Sequence, residues 1–350
     1  MNWKGESFAI AVKMFVLTVV IPTYNMQACL GRCLDSLLVD ERSMAQLEVL
    51  VINDGSTDDS SAIAHSYEKK YPGTFRVIDK ENGNYGSCVN RGLAEARGKY
   101  IRILDADDWF ESARFQEFLS FLQGQDADLV ISDFDQVGPD GSVLNRIHYD
   151  LDTTGTFTCS SIPRSILFLS HAVTYKVDNL RKFGYRQSEG IFYTDQEWVF
   201  WPMISVRSIR YFDGTIYKYL IGREGQSVSK PVFIQHFSHE MQGAKAMASV
   251  YEECWRDLNS EHLSYLRWRL EMRLHLVYYC HLVRAYEGLD IRSLSAFDQD
   301  LKSSCPASWV LSQGLRISKR IPYHFIRAFR RFRSKNLPGI ILFRLYRKVS

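Results

Sequence analysis

Several common features are missing from this sequence of 350 residues. No apolar run reaches the roughly 18 residues that a membrane-spanning helix needs, which excludes a transmembrane channel. The seven cysteines form no CxxC pair, so a disulfide framework is not indicated and a reducing cytoplasm is the expected setting. Lys13 interrupts the apolar opening segment, which is therefore not typical of a secretory signal peptide.

Acidic residues are absent from positions 316–350, which contain eleven Lys and Arg, so the other residues carry a net charge of −8 against the overall +3. In this basic tail, cations alternate with aromatic and aliphatic side chains, as in Arg327–Arg333 and Ile340–Lys348. On a helix such residues would rest on an anionic membrane, each cation contributing about 1 kcal/mol. The alternative is a cationic helix packed on the acidic body or on a second subunit. No nucleic-acid-binding motif is present, so no nucleic acid is predicted as a partner.

The first third of the chain alternates apolar runs with helical patterns. A composition of 46% hydrophobic and 24% charged residues is that of a globular protein. This alternation predicts a doubly wound α/β layer, in which ligands bind beyond the carboxyl ends of the strands. The predicted strands cover residues 15–21, 47–52, 75–78 and 100–104.

Polar residues follow three of these strands. Tyr24 and Asp54 come after the first two strands, and Asp105, Asp107 and Asp108 come after the fourth. Carboxylates packed this closely repel one another unless a cation or a proton offsets the charge. They therefore suggest a Mg²⁺ or Mn²⁺ site, while a plain turn or a helix cap is the alternative.

Beyond Asp108 the pattern becomes less regular. Further strands are predicted at residues 127–132 and, as one strand or two, at 208–221. Residues 190–198 lead into an aromatic helix, and helices are predicted around 239–258 and 260–287.

Several separated motifs agree in order and spacing, and together they resemble the family 2 inverting glycosyltransferases of GT-A fold. The resemblance is close over residues 15 to about 110, weaker to about 230, and fades beyond. The motifs are Val20–Asn25, Ile52–Asp58, Asn82–Gly86, Asn90–Gly92, Gly98–Tyr100 and Asp105–Asp108.

The resemblance implies a GT-A glycosyltransferase domain at residues 14–232, built on a doubly wound, Rossmann-like mixed sheet. Residues 14–125 would form its nucleotide-binding half and residues 126–232 its acceptor half. A helical C-terminal region would follow at 233–350, with the basic tail at 316–350.

The resemblance also assigns the UDP-sugar site. Pro22 and Tyr24 would meet the base, Asp54 would accept a hydrogen bond from the uracil or the ribose, and Asp105 would lie near the ribose. The alternatives are a core aromatic for Tyr24 and an Asx turn for Asp54.

The metal and the diphosphate would be held by two segments. Asp107 or Asp108 would bind Mn²⁺ or Mg²⁺, and the other aspartate would be free to cap the next helix. A loop carrying Arg223, Gln226 and Ser227 would close over the diphosphate, because a guanidinium offers paired donors to phosphate oxygens. An ordinary polar loop is the alternative.

Asp195 is the candidate catalytic base. The family usually shows an acidic pair at the start of a helix beside the acceptor, and this chain has Thr194 before Asp195. An N-cap carboxylate is the alternative for Asp195. Glu197 is the nearest rival, and it ranks lower because it lies inside the helix on another face.

The expected function is metal-dependent, inverting transfer of a hexose from a UDP-sugar to a saccharide or lipid-linked acceptor in cell-surface polysaccharide synthesis. The expected location is the cytoplasm, peripheral at the inner face of the membrane. A non-catalytic nucleotide-sugar-binding or scaffolding subunit is the alternative. A sugar nucleotidyltransferase is disfavoured because Pro22–Asn25 is not a basic, Gly-rich loop, and the absence of a QxxRW motif disfavours processive synthesis.

Overall fold

The computed structural model describes residues 15–163, 166–223, 225–227, 229–315 and 325–333. Its strands are β1 (Phe15–Thr23), β2 (Leu47–Asn53), β3 (Phe75–Asp79), β4 (Gly98–Ile103), β5 (Trp109–Phe110), β6 (Leu129–Val137), β7 (Val143–Ile147), β8 (Val173–Lys176) and β9 (Ile209–Leu220). Its α-helices are α1 (Leu30–Asp35), α2 (Glu41–Met44), α3 (Ser60–Lys70), α4 (Asn84–Glu95), α5 (Ser112–Gln123), α6 (Val177–Phe183), α7 (Asp195–Trp198), α8 (Lys230–Gln235), α9 (Phe237–Cys254), α10 (Ser260–Tyr279), α11 (Ile291–Ser304), α12 (Pro306–Ser312) and α13 (Phe325–Arg333).

The described strands form one mixed sheet, in the order β3-β2-β1-β4-β8-β6-β9-β5, with β7 paired to β6. Strands β3, β2, β1 and β4 run parallel, and β8 is antiparallel to both of its neighbours. Every residue of β2 is buried, as expected where helices cover both faces of a parallel sheet. The predicted doubly wound α/β layer is therefore confirmed.

Parallel pairing brings the ends of β1, β2 and β4 to one edge of the sheet. Thr23 pairs with Asn53, and Val20 pairs with Ile103. Side chains that directly follow these strands therefore line a common edge, although they are far apart in sequence.

Strand β9 connects the second half of the sheet to this edge. It is a single strand of 12 residues, whereas the sequence pattern was compatible with either one strand or two. It pairs with β6 along most of its length, and Tyr217 pairs with Phe110 of β5. Because β5 follows β4 closely, this pairing carries the end of β9 to the turn after β4.

The aromatic helix expected within residues 190–198 is only one turn long, Asp195–Trp198. Trp198 is buried and packs edge-on against Tyr175, with ring centroids 5.1 Å apart. The apolar pattern in residues 190–198 therefore reflects burial of the aromatic ring in the core and does not require a longer helix.

After β9 every described element is helical. The two predicted long helices are confirmed as α9 and α10, and a π-helical turn, Cys280–Arg284, follows α10. Leu266, Leu270, Leu274 and Val277 form the buried stripe of α10 at helical spacing. Within the described residues, no helix is both long and apolar enough to cross a membrane.

The described part of the basic tail is packed on the body. Phe325, Ile326 and Phe329 of α13 are buried, and Arg330 forms an ion pair with buried Asp298 of α11, with Nη2 and Oδ1 2.6 Å apart. For α13 the alternative of packing on the acidic body is therefore correct, and its apolar face does not face a membrane. The remainder of the tail, residues 316–324 and 334–350, lies outside the described residues.

Candidate active site

The turn after β4 begins the site, and Asp108 anchors it. Both Asp108 oxygens accept hydrogen bonds, Oδ2 from the Tyr217 hydroxyl at 2.6 Å and Oδ1 from the Leu220 amide at 2.8 Å. Burial, reinforced by the neighbouring aspartates, holds the pKa of Asp108 well above its usual range. Glu111 caps α5, so Asp108 does not cap that helix and instead fastens the end of β9 to the acidic turn.

Asp107 pairs with the loop that follows β9. Arg223 donates two hydrogen bonds to Asp107 Oδ2, from Nη2 at 2.9 Å and from Nε at 3.1 Å. Gln226 closes the loop, because its Oε1 accepts from the Gly222 amide at 2.9 Å and its Nε2 donates to the Leu220 carbonyl at 2.7 Å. Two of the residues predicted to contact the diphosphate therefore lie against the acidic turn.

Asp105 completes the turn. Its Oδ1 accepts a hydrogen bond from the Tyr85 hydroxyl at 2.9 Å, and its amide donates to the Tyr217 hydroxyl at 3.2 Å. Burial raises the pKa of Asp105 to about 7, and the charges of Asp107 and Asp195 act in the same direction. The site formed by the acidic turn and the side chains around it, called the cleft below, thus concentrates negative charge that a bound cation would offset.

The donor set of this cleft fits a divalent cation. One ligand atom each from Asp105, Asp108 and His171 lie within 4.8 Å of one another. Carboxylate oxygens suit Mn²⁺ or Mg²⁺, and an imidazole is compatible with Mn²⁺ and later transition metals. Burial, together with the charge of Arg102, lowers the pKa of His171 to about 3, so the ring is neutral, as a metal ligand must be.

His171 was not found by sequence reasoning. It lies in a short 3₁₀ turn, Ser170–Ala172, directly before β8. Its ring stacks on Tyr219 with centroids 4.2 Å apart and meets the edge of Tyr217 at 5.0 Å. The insertion of antiparallel β8 beside β4 brings it to the acidic turn, and no local motif in the sequence signals that pairing.

Asp54 joins the end of β2 to the loop before α4. Its Oδ1 accepts hydrogen bonds from the Gly83 amide at 2.9 Å and from the Lys80 ammonium. The Asx-type bond of this turn belongs instead to Asn53, whose Oδ1 accepts from the Ser56 amide at 3.2 Å. The Asx-turn alternative for Asp54 is therefore wrong.

Tyr24 and Pro22 lie at the end of β1. Tyr24 is 48% exposed, so the alternative of a core aromatic is wrong. Pro22 is partly buried and pairs with Ile52 of β2. The phenol ring is thus presented at the edge of the sheet that carries Asp54.

Asp195 belongs to the same cleft. It is the first residue of α7, and Thr194 occupies the N-cap position, so the N-cap alternative is wrong. Its Oδ2 accepts a hydrogen bond from Gln196 Nε2 at 2.9 Å. Burial raises the pKa of Tyr85, and the negative charges of Asp105 and Asp195 raise it further. Both carboxylates therefore lie near the same phenol.

The rival acid, Glu197, has a different role. It is buried, and its Oε2 accepts a hydrogen bond from the Ser188 amide at 2.8 Å. Burial raises the pKa of Glu197. Glu197 therefore holds the segment that precedes α7 and does not face the cleft as openly as Asp195.

The chain matches known proteins in sequence. The family model described as Glycosyl transferase family 2 matches residues 18–171. The uncharacterized glycosyltransferase MG025 homolog of Mycoplasma pneumoniae is 37% identical over 122 residues, which span 34% of this chain and 40% of that protein. The uncharacterized glycosyltransferase YibD of Escherichia coli is 26% identical over 276 residues, which span 77% of this chain and 79% of that protein.

A solved structure extends the likeness to the whole chain. Residues 1–349 of S. aureus TarS superpose with a TM-score of 0.66 at 16% identity, covering 96% of this chain and 92% of that one. At this identity the match shows the fold. TarS has also been crystallised with UDP and with UDP-GlcNAc. The matched residues 18–171 therefore form a glycosyltransferase family 2 domain, and the chain has the GT-A fold.

Proposed function

We propose that the chain is a metal-dependent, inverting glycosyltransferase that moves a hexose from a UDP-sugar to a hydroxyl of a saccharide or lipid-linked acceptor in cell-surface polysaccharide synthesis. The observation that carries the proposal is one cleft that combines the acidic turn, the Arg223 loop and Asp195. The UDP and UDP-GlcNAc complexes of TarS support a uridine nucleotide as the donor.

The donor would lie along the edge formed by β1, β2 and β4. The exposed ring of Tyr24 and the backbone at Pro22 would meet the uracil. Asp54 would contact the base or the ribose, and its bond from the Gly83 amide already orients the carboxylate. Asp105 would lie near the ribose.

The diphosphate would lie between the acidic turn and the loop after β9. Asp107 and Asp108 would hold Mn²⁺ or Mg²⁺, and Asp108 clusters with Asp105 and His171. The cation would supply stabilisation of the negative charge that grows on the departing diphosphate. Arg223, Gln226 and Ser227 would contact the phosphate oxygens, and Arg223 would leave Asp107 to do so.

Asp195 would act as the general base. The acceptor hydroxyl attacks the anomeric carbon on the face opposite the diphosphate and forms the new C–O bond. The bond from that carbon to the phosphate oxygen breaks, and its electron pair leaves with UDP. Asp195 takes the hydroxyl proton, which such a base assists by typically about 10²–10⁴-fold.

The test is turnover of a panel of UDP-sugars with Mn²⁺, using water or added saccharides as acceptors. Asp195→Asn is expected to lower turnover by about 10²–10⁴-fold while the Kd for UDP stays within about twofold. Asp178→Asn, at an exposed site on α6, is the matched control and should behave as wild type. Near-normal turnover by Asp195→Asn would contradict the assignment of Asp195 as the general base. UDP binding by the wild-type chain without turnover of any donor would favour a non-catalytic binding subunit.

We also propose that the basic tail holds the protein at the anionic inner face of the membrane. In α13 the packed face leaves Arg327 and Arg331 exposed on the outside. Arg327→Gln/Arg331→Gln is expected to weaken flotation with anionic liposomes. The control pair Arg267→Gln/Arg292→Gln removes two exposed cations elsewhere. Equal flotation of both double variants would contradict the tail as the contact.

A further inference from the structure

The backbone just before Asp195 is held in an unusual conformation. Tyr193 has a φ of +64°, in the left-handed region that bulky side chains rarely adopt. Such a conformation is energetically unfavourable and persists only where the surroundings enforce it. Tyr193 also links two parts of the site, because its hydroxyl donates to the Ser227 carbonyl at 3.0 Å.

The C-terminal helices enforce this conformation. Arg273 of α10 donates from Nη2 to the Tyr193 carbonyl at 3.2 Å. The same guanidinium pairs with Glu240 of α9, with Nη1 and Oε1 2.8 Å apart, and both side chains are buried. Phe233 of α8 packs edge-on against the Tyr193 ring, with centroids 5.7 Å apart.

A second arginine, Arg269, lies one turn earlier on α10 and is linked to Asp195 through the side chain of Gln196. Arg269 donates from Nη2 to Gln196 Oε1 at 3.3 Å and from Nη1 to the Phe168 carbonyl at 3.1 Å. With its oxygen held by Arg269, the Gln196 amide presents Nε2 to Asp195 Oδ2 at 2.9 Å. The two contacts fix the Gln196 side chain in the orientation that serves Asp195.

We propose that Arg273, Arg269 and Gln196 are positioning residues for Asp195, so that the C-terminal helical region is part of the catalytic machinery. This inference rests on the proposed function of Asp195. Arg273 fixes the backbone that leads into α7, while Arg269 and Gln196 fix one carboxylate oxygen. Within the described residues the other oxygen of Asp195 accepts no hydrogen bond, which leaves it available to the acceptor hydroxyl.

The experiment compares Arg273→Met, Arg273→Lys and Gln196→Met in the full chain. A displacement of about 1 Å at a reacting group costs up to about 10²-fold in rate. We therefore expect Arg273→Met and Gln196→Met to lower kcat by about ten- to 100-fold, with KM for the UDP-sugar and the Kd for UDP within about twofold. Arg273→Lys should recover part of the loss, because an ammonium can still donate to the Tyr193 carbonyl.

Arg267→Met is the matched control, since Arg267 lies on the same helix and pairs with Glu271 at the surface. It should leave kcat unchanged. Gln196 is only partly buried, so Gln196→Met tests the proposal even if Arg273→Met fails to fold. The inference is overturned if Asp195→Asn lowers kcat but folded Gln196→Met keeps it within twofold of wild type. If Asp195→Asn itself has no effect, the proposed function fails instead.

Discussion

The parallel half of the sheet and the C-terminal helices use charged residues in opposite ways. Along the edge of the sheet, the Asp105 and Asp107 side chains lie in one acidic turn and stay partly exposed, at 28% and 15%. Among the helices, Arg273 is buried against Glu240, and Arg330 against Asp298. Removing one partner of a buried ion pair is costly, whereas a partly exposed carboxylate can exchange its partner for a ligand. Charged side chains are therefore accessible to a ligand in the first region, whereas in the second they hold the helices together.

The largest effect on stability is expected in the helical region. Arg330→Met leaves Asp298 buried without its cation, which should lower the free energy of unfolding by about 3–5 kcal/mol. Chemical denaturation measures this change. Arg327→Met, on the exposed face of the same helix, should change stability little. An equally large loss of stability in both variants would show that the positive charge of α13 as a whole stabilises the protein and that the ion pair with Asp298 contributes nothing specific.

A change in the cleft should act on binding instead. Asp107→Ala is expected to weaken Mn²⁺-dependent binding of UDP by about 100-fold, since changes even in the residues that support metal ligands cost 10- to 100-fold. Calorimetric titration with and without Mn²⁺ measures it, and the melting temperature should change little. The control is Asp178→Ala. Loss of UDP binding to the same extent without metal would argue that Asp107 contacts the nucleotide directly.

Tyr24→Ala should have a smaller effect. Stacking of a base on an aromatic ring is worth about 1–3 kcal/mol, so the Kd for UDP should rise about tenfold. Tyr24→Phe keeps the ring and should bind as wild type. If both variants lose the same affinity, the hydroxyl of Tyr24 and not its face makes the contact.

The smallest expected effect is on the pH dependence of stability. The pKa of Asp105 in the folded chain, about 7, lies above that of an ordinary aspartate. This group therefore favours folding most at about pH 4 and below, and the advantage is lost as pH rises towards 7. Asp105→Asn stays uncharged, so its stability relative to wild type should improve steadily between about pH 5 and about pH 8. Thermal unfolding at both pH values measures this, and a pH-independent difference would contradict it.

The sequence predicted the parallel half of the sheet well because its strands are continuous apolar runs. Asp105, Tyr24 and Asp54 could be placed at one edge because each directly follows a strand. Elements as short as β5 and β8 give no such pattern, since two to four residues show no periodicity. His171 and Arg273 could not be predicted either, because only tertiary packing brings them to the cleft.

The basic tail shows a further limit. An alternation of Arg with aromatic residues predicts an amphipathic helix in α13, but it does not predict what covers the apolar face. The buried carboxylate of Asp298, on a helix about thirty residues earlier, decides that α13 packs on the body. A sequence pattern on one helix carries no information about a carboxylate on another.

The pairing of Arg223 with Asp107 has one more consequence. Without donor, this part of the acidic turn carries its own counter-ion, supplied by a loop whose glycines, such as Gly222 and Gly225, sustain backbone conformations that other residues rarely adopt. Protein stripped of divalent ions should therefore keep its fold. In the proposed mechanism the cation would serve the reaction and not the fold, so chelation should abolish turnover and readdition of Mn²⁺ should restore it without refolding.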